Sequence, residues 1–126
     1  MSLLALKAYF ELIRFERYLA PGGFAALRAK VRVCPLAAQT PAPANHAIER
    51  ICSAVDTACI WYWKEVHCLQ RSAATTCLLK RCGVAAEMVI GARPTPFKAH
   101  AWVEVGGRIV NDKPYIGEIY PVLDRC

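Results

Sequence analysis

Hydrophobic spacing changes once along this chain, from a helical period before Gly83 to a strand period after it. Before Gly83, apolar residues recur at the spacing of one helix face. After it they form short runs interrupted by glycine and proline, a pattern typical of strands and turns. Helices followed by antiparallel strands predict an α+β fold, with N-terminal helices followed by a small antiparallel sheet.

The predicted helices cover residues 3–19, 24–31, from Asn45 to a break at 64–67, and 68–82. The first has an apolar face formed by Leu3, Leu6, Phe10 and Ile13. We expect this helix to pack against the rest of the protein, and docking of the apolar face on a partner protein or lipid is the alternative. Asn45 is the predicted N-cap of the third helix. Gly83 follows the fourth helix, at the position where a glycine commonly ends a helix.

The predicted strands follow Gly83 and centre on a hairpin. Its arms are residues 99–105 and 108–111, which flank the turn signal Gly106-Gly107. A short strand at 86–90 precedes it, and the segment GARPTPF between them is a predicted loop because of its two prolines. A further strand is predicted near residues 116–120.

The 126-residue length suits a single domain over residues 1–126. The proline-rich stretch CPLAAQTPAPAN divides it into a helical N-terminal extension, residues 1–40, and a core, residues 45–126. A segment as short as the extension rarely folds alone, so we expect it to belong to the same domain.

The net charge of +6 comes from scattered lysines and arginines, and the chain contains no zinc-finger, RNP-type or basic-stripe pattern. We therefore expect no nucleic-acid partner, and the charge suits an acidic peptide or protein as well. The N-terminus mixes charged with apolar residues, unlike a secretory signal, and no uncharged run is long enough to span a bilayer. A cytoplasmic location without membrane insertion is the expectation.

The chain has seven cysteines and no Cys-x-x-Cys motif. The odd number leaves at least one cysteine unpaired, and a reducing compartment would keep all of them as thiols. We expect no structural zinc, no cofactor, and mostly small, buried cysteine side chains.

Cys68 differs from the other cysteines because the predicted break at 64–67 places it at the start of a helix. The unpaired N–H groups and the positive dipole end there favour a thiolate, and they could hold the oxyanion of a tetrahedral intermediate. A buried structural cysteine is the alternative. The others are predicted in helix interiors, at a helix end or in irregular segments: Cys34, Cys52, Cys59, Cys77, Cys82 and Cys126.

His100 heads a predicted strand, with its side chain on the same sheet face as Trp102 and Glu104. Packed against a helix that begins at Cys68, it would complete a nucleophile–base pair. A core or edge histidine with a satisfied hydrogen bond is the alternative. His67 is a poorer base because adjacent side chains on a helix diverge.

The residue that would orient His100 depends on the hairpin loop. With Gly106-Gly107 as a two-residue loop, Asn111 shares the face of His100 and Asp112 points away. One more loop residue, or a bulge, reverses the two. The residues alone therefore allow either a Cys-His-Asn or a Cys-His-Asp arrangement.

The segments CLQRSAATTCLLKRCGV and IGARPTPFKAHAWVEVGGRIVND resemble the transglutaminase-like cysteine peptidases of lasso peptide biosynthesis, the leader-removing B proteins. The shared pattern is a Cys-Leu that opens a leucine-rich helix ending in glycine, then a strand ending in Ile-Gly. An Ala-His-Ala-Trp-Val-Glu strand, a glycine turn and an aspartate follow. The match runs from Cys68 to Asp112, and the preceding helices suit the family in general character.

The resemblance implies a transglutaminase-like or papain-like core with catalytic Cys68, His100 and Asp112, and it therefore favours the longer hairpin loop. It implies hydrolysis of a precursor peptide at the leader–core junction through a thioester. It also implies a stand-alone peptidase with a separate leader-binding recognition protein, and a core peptide that passes to an ATP-dependent cyclase.

Two other functions remain open on the sequence. One is acyl transfer or amide hydrolysis of another substrate by the same triad. The other is a non-catalytic module that presents a peptide to a partner.

Overall fold

The computed structural model describes residues 2–38 and 45–126. The middle of the proline-rich stretch and the side chain of the predicted cap Asn45 lie outside the described residues. The helices are α1 (Leu3–Glu16), α2 (Phe24–Val33), α3 (Asn45–Trp61), α4 (Cys68–Arg81) and α5 (Ile116–Ile119), and a short 3-10 turn, Arg17–Leu19, extends α1. Gly83, with φ 86°, adopts the left-handed conformation that ends α4.

The strands form one antiparallel sheet, in the order β3-β2-β1-β4. Their bounds are β1 (Ala86–Pro94), β2 (Phe97–Val105), β3 (Arg108–Ile109) and β4 (Val122–Arg125). No helix in the described part of the chain is both long and apolar enough to cross a membrane. The predicted α+β architecture of helices followed by a small antiparallel sheet is confirmed.

The segment GARPTPF is not the predicted loop. Strands β1 and β2 pair continuously from Ala86 opposite Val105 to Pro94 opposite Phe97, so only Thr95 and Pro96 turn the chain. Proline is tolerated at a strand end, where no ladder donor is required. The two prolines therefore mark the tip of a long hairpin, and its pairing brings Gly91 opposite His100.

The strand predicted at 116–120 is also wrong. Ile116 and Ile119 lie one turn apart on the short helix α5, and the Tyr120 N–H donates to the Ile116 carbonyl at 3.1 Å. Pro121 ends this turn because it cannot continue the helical bonding. The chain then enters β4, which pairs with β1 as an edge strand.

The main core lies between the helices and one face of the sheet. Buried residues of α1, α2, α3 and α4 pack there with Met88 and Val103 from the sheet. The opposite face carries a smaller cluster, formed by Val89, Trp102, Ile116 and Tyr120. Helix α4 is central, because it packs against the other three long helices and against β1 and β2.

The apolar face predicted to bury α1 is exposed. Its members are between 40% and 70% accessible: Leu3, Leu6, Phe10 and Ile13. The helix packs instead through another face, formed by Ala5, Ala8, Glu11, Leu12 and Phe15. Alanine side chains let two helix backbones approach closely, so this second face, although it has fewer large residues, is the one that fits against α4.

Candidate active site

Cys68 is the first residue of α4, as the sequence predicts. The preceding His67 is extended, with φ −76° and ψ 151°, and the Arg71 N–H donates the first helical bond to its carbonyl at 2.9 Å. The N–H groups of the residues between them have no acceptor within the helix. The partly buried Cys68 side chain therefore lies beside unpaired donors and the positive end of the α4 dipole.

Four of the other six cysteines lie in less reactive surroundings. All seven are free. Burial raises the pKa of Cys52 to about 11, and it also raises the pKa values of Cys59, Cys77 and Cys126. A thiol with a raised pKa carries little of the nucleophilic thiolate at neutral pH, so these cysteines suit a structural role.

His100 and Asp112 are in direct contact. The Nε2 atom of His100 lies 2.6 Å from Oδ2 of Asp112. The other oxygen, Oδ1, accepts the backbone N–H of Lys113 at 2.7 Å, which fixes the carboxylate. With Nε2 directed to Asp112, Nδ1 is the ring nitrogen left to exchange a proton with a nucleophile.

Two aromatic rings pack near the His100 imidazole on the sheet face opposite the main core. Its centroid lies 6.2 Å from that of Trp102 and 5.3 Å from that of Tyr120. Trp102 is fully buried, and its indole N–H donates to Oε2 of Glu104 at 2.9 Å. The ring of His100 is therefore packed as well as hydrogen-bonded, so its orientation is restricted.

Glu104 is a buried carboxylate with a cationic partner. Burial alone would raise its pKa, but hydrogen bonds from Arg125 and Trp102 outweigh that effect and lower the pKa below its usual range. Arg125 donates to Oε1 of Glu104 at 2.8 Å. The sequence placed Trp102 and Glu104 on the His100 face, but it gave no signal for Arg125 or Tyr120, which come from the distant C-terminal segment.

Cys68 and His100 line the same cavity, whose volume is about 270 Å³. Its remaining walls are apolar: Phe24, Leu69, Ile90, Ala99 and Ala101. A second cavity, of about 460 Å³, shares Phe24, Cys68 and Leu69 with the first. Cys68 therefore lines both cavities, and their combined space could hold part of a peptide beside it.

The prediction of a longer hairpin loop is wrong. Glu104 pairs with Ile109 and Val105 with Arg108, so Gly106-Gly107 is a two-residue turn. Both glycines have positive φ, 58° and 80°, as a tight hairpin turn requires.

Asp112 nevertheless reaches His100 because β3 ends early. The Val110 N–H still donates to the Val103 carbonyl at 3.0 Å, but the Val103 N–H is accepted at 2.7 Å by Oδ1 of Asn111. A side chain thus replaces the next backbone acceptor of the ladder. The chain leaves the sheet there, and the face assignment that a continuous ladder would impose on Asp112 no longer applies.

Of the two candidate orienting residues, the structure thus brings Asp112 to His100 and directs the Asn111 amide to Val103 and Ser72. Within residues 2–38 and 45–126, no group of three or more histidine, cysteine or acidic side chains is arranged to hold a metal ion.

The chain is similar in sequence to known proteins over most of its length. A sequence model of the transglutaminase-like superfamily matches residues 10–123. The chain belongs to this superfamily. It is also 47% identical over 56 residues to the microcin J25-processing protein McjB of Escherichia coli. No solved structure is matched by the chain.

The McjB match is partial on both sides. It covers 44% of this chain and 27% of the length of McjB. Together with the superfamily match, it supports the resemblance to the B proteins of lasso peptide biosynthesis.

Proposed function

We propose that this chain is a cysteine peptidase that removes the leader from a lasso peptide precursor, with Cys68 as nucleophile, His100 as base and Asp112 as the residue that orients His100. The observation that carries the proposal is the cavity shared by Cys68 and His100, with Oδ2 of Asp112 2.6 Å from Nε2 of His100. The superfamily and the McjB match support it.

In the proposed reaction, Nδ1 of His100 takes the proton of the Cys68 thiol and the sulfur attacks the carbonyl carbon at the leader–core junction. N–H groups at the start of α4 stabilise the oxyanion that forms. The intermediate collapses as His100 returns its proton to the leaving nitrogen, which frees the amine of the core peptide. Water, activated by His100, then hydrolyses the leader thioester and regenerates the thiol.

Asp112 and the rings around His100 support both proton transfers. A carboxylate at Nε2 holds the imidazole in one tautomer and stabilises the imidazolium that forms during attack. Trp102 and Tyr120 keep the ring from rotating away from the cavity. Side chains held by packing lose little freedom when the substrate binds, and this favours a productive geometry.

The proposal includes the surroundings of the reaction. A separate recognition protein binds the leader and presents the junction, the released core passes to an ATP-dependent cyclase, and the reaction takes place in the cytoplasm. The net charge of +6 favours an acidic peptide partner. We also propose one domain over residues 1–126, in which 1–40 extends a catalytic core of 45–126.

The experiment is precursor cleavage with the recognition protein present, read by mass spectrometry. We expect the wild type to yield leader and core, and Cys68→Ala to yield neither while still binding precursor. Cys82→Ala, at the other end of α4 and outside the cavity, is the matched control and should cleave normally. Cleavage that survives Cys68→Ala contradicts the proposal. An amine adduct or a deamidated product in place of cleavage would indicate acyl transfer or amidase activity.

A further inference from the structure

The side chain of Asn111 connects the elements that carry the three proposed catalytic residues. Its Oδ1 accepts the Val103 N–H of β2 at 2.7 Å, and its Nδ2 donates to Oγ of Ser72 on α4 at 3.3 Å. Because a backbone N–H can only donate, Oδ1 must face Val103, which leaves Nδ2 to face Ser72. One amide therefore bridges the sheet to the central helix.

The two ends of this bridge lie close in sequence to the proposed catalytic pair. Ser72 is four residues after Cys68, so both side chains lie on the same side of α4, one turn apart. Val103 lies three residues after His100 on β2, and the next residue after Asn111 is Asp112. A change at Asn111 therefore acts on the relative positions of all three residues.

The hairpin register gives Asn111 a second task. If the ladder set by the Glu104–Ile109 pair continued, Asp112 would stand opposite Ala101, whose side chain lies on the face away from His100. The bond from Val103 to the Asn111 side chain takes the donor that the ladder would need next. The chain is thereby released from the sheet, and Asp112 reaches Nε2 of His100.

Burial makes the bridge costly to break. Ser72 is 1% accessible and Val103 is fully buried, so water does not readily replace either partner. A buried polar group that loses its partner keeps its desolvation penalty, and the structure would relax to satisfy it. The simplest relaxation extends the β3 ladder by one pair, and that would turn Asp112 away from His100.

We propose that Asn111 is a positioning residue for the reaction: its amide ends the β2–β3 ladder, joins β2 to α4, and so sets both the Asp112–His100 contact and the approach of His100 to Cys68. The inference rests on the proposed peptidase function, because it assumes that these three side chains act together. The bonds of the Asn111 side chain go to Val103 and Ser72, so Asn111 acts through the three proposed catalytic residues.

The test is the rate of Cys68 alkylation by iodoacetamide across a pH series, read at each cysteine by peptide mass spectrometry. This rate depends on the pairing of thiol and imidazole and needs no peptide substrate. The variants are Asn111→Ala, Ser72→Ala and the double substitution. The control for a general loss of stability is Ile51→Val. It leaves a small void at a buried position of α3, away from the cavity that Cys68 lines.

We expect Asn111→Ala to slow Cys68 alkylation about tenfold or more, to change its pH profile, and to lower kcat for precursor cleavage by on the order of 10²-fold with little change in KM. Ser72→Ala removes one end of the bridge from a helix that stays packed, so it should fold and show a smaller effect of the same kind. The double variant should lose no more alkylation rate or kcat than Asn111→Ala, because the two single substitutions break the same connection.

An alkylation profile of Cys68 that is the same in wild type, Asn111→Ala and Ser72→Ala would overturn the inference. So would an equal loss in Ile51→Val, since the effect would then be one of stability alone. If the wild type cleaves no precursor but Asn111→Ala still changes the alkylation profile, the peptidase proposal fails and the positioning role stands. If the wild type and Asn111→Ala both cleave the precursor normally, the positioning role fails and the peptidase proposal stands.

Discussion

Helices α1 and α4 show opposite relations between sequence and burial. Four large apolar residues of α1 are exposed, Leu3, Leu6, Phe10 and Ile13. Helix α4, in contrast, buries glutamine, serine and two threonines together with Leu78 and Leu79. The difference follows from location. Helix α4 contacts three helices and two strands, so small and hydrogen-bonded polar side chains fit it. Helix α1 contacts α3 and α4 and leaves one apolar face exposed.

The buried polar groups of α4 are tolerated because most of them have partners. The Gln70 amide donates to the Leu12 carbonyl at 2.8 Å and to Oε1 of Glu16 at 3.1 Å. The Thr75 hydroxyl donates to the Arg71 carbonyl at 2.8 Å, within the helix. Hydrophobicity alone is therefore a poor guide to which helix is central in this protein, and the position of hydrogen-bond partners is the better one.

The largest expected difference between the two helices is in leucine truncation. Leu79→Ala on α4 should lower the free energy of unfolding by about 2–5 kcal/mol, because the side chain is fully buried and leaves a cavity. The same substitution at Leu6 on α1 should change it by less than about 0.5 kcal/mol. Denaturant unfolding followed by circular dichroism measures both.

Leu12→Ala tests whether the contrast belongs to the helix or to its face. Leu12 is fully buried on α1, so its truncation should cost about as much as that of Leu79. If Leu6→Ala also costs several kcal/mol, the apolar face of α1 is covered in solution, and the contrast between the helices does not hold.

The next largest effect concerns the buried polar residues of α4. Gln70→Leu should cost about 1–3 kcal/mol, because the buried carbonyl of Leu12 and the half-buried carboxylate of Glu16 each lose a donor. Thr76→Val keeps the shape and removes a hydroxyl that has no partner within the described residues, so it should be neutral or stabilising. Equal losses in both variants would show that hydrogen bonding does not explain the polar interior of α4.

The sequence predicts where helices and turns begin and end better than it predicts which residues pack against one another. The boundary at Cys68, the end of α4 at Gly83 and the glycine turn of the hairpin each depend on local backbone preferences, and all three are confirmed. The prediction of which face of α1 is buried was wrong, because the outcome depends on which of two faces packs against α4. Periodicity detects an apolar face but not its partner.

The candidate site shows the same difference between local preferences, which the sequence predicts, and tertiary contacts, which it does not. The placement of His100, Trp102 and Glu104 on one sheet face required only strand alternation, and the contacts among these residues confirm it. The path of Asp112 could not be read from ladder parity, because a side chain, Asn111, ends the ladder. The catalytic roles of Cys68, His100 and Asp112 stay predictions, tested by the experiments above.

The smallest expected effect is the pH dependence at the junction of the two helices. A hydrogen bond from Lys64, together with those from Tyr62 and Gln70, lowers the pKa of Glu16 at the end of α1. A carboxyl whose pKa is lower in the folded than in the unfolded protein adds stability above its unfolded value, about 4.3, and this stability is lost as the pH falls through the folded value. Glu16→Gln should therefore be less stable than the wild type near neutral pH, and the difference should shrink on acidification below about pH 4.

The glutamine at position 16 keeps an oxygen that can accept from Tyr62 and Gln70, so the substitution mainly removes the charge that faces Lys64. Because Lys64 is partly exposed, solvent screens this pair, and the effect should also weaken with added salt. Glu49→Gln, at an exposed position on α3, is the control. A Glu16→Gln difference that is the same at neutral and acidic pH would mean that the packing of α1 on α4 depends on the shape of this side chain rather than on its charge.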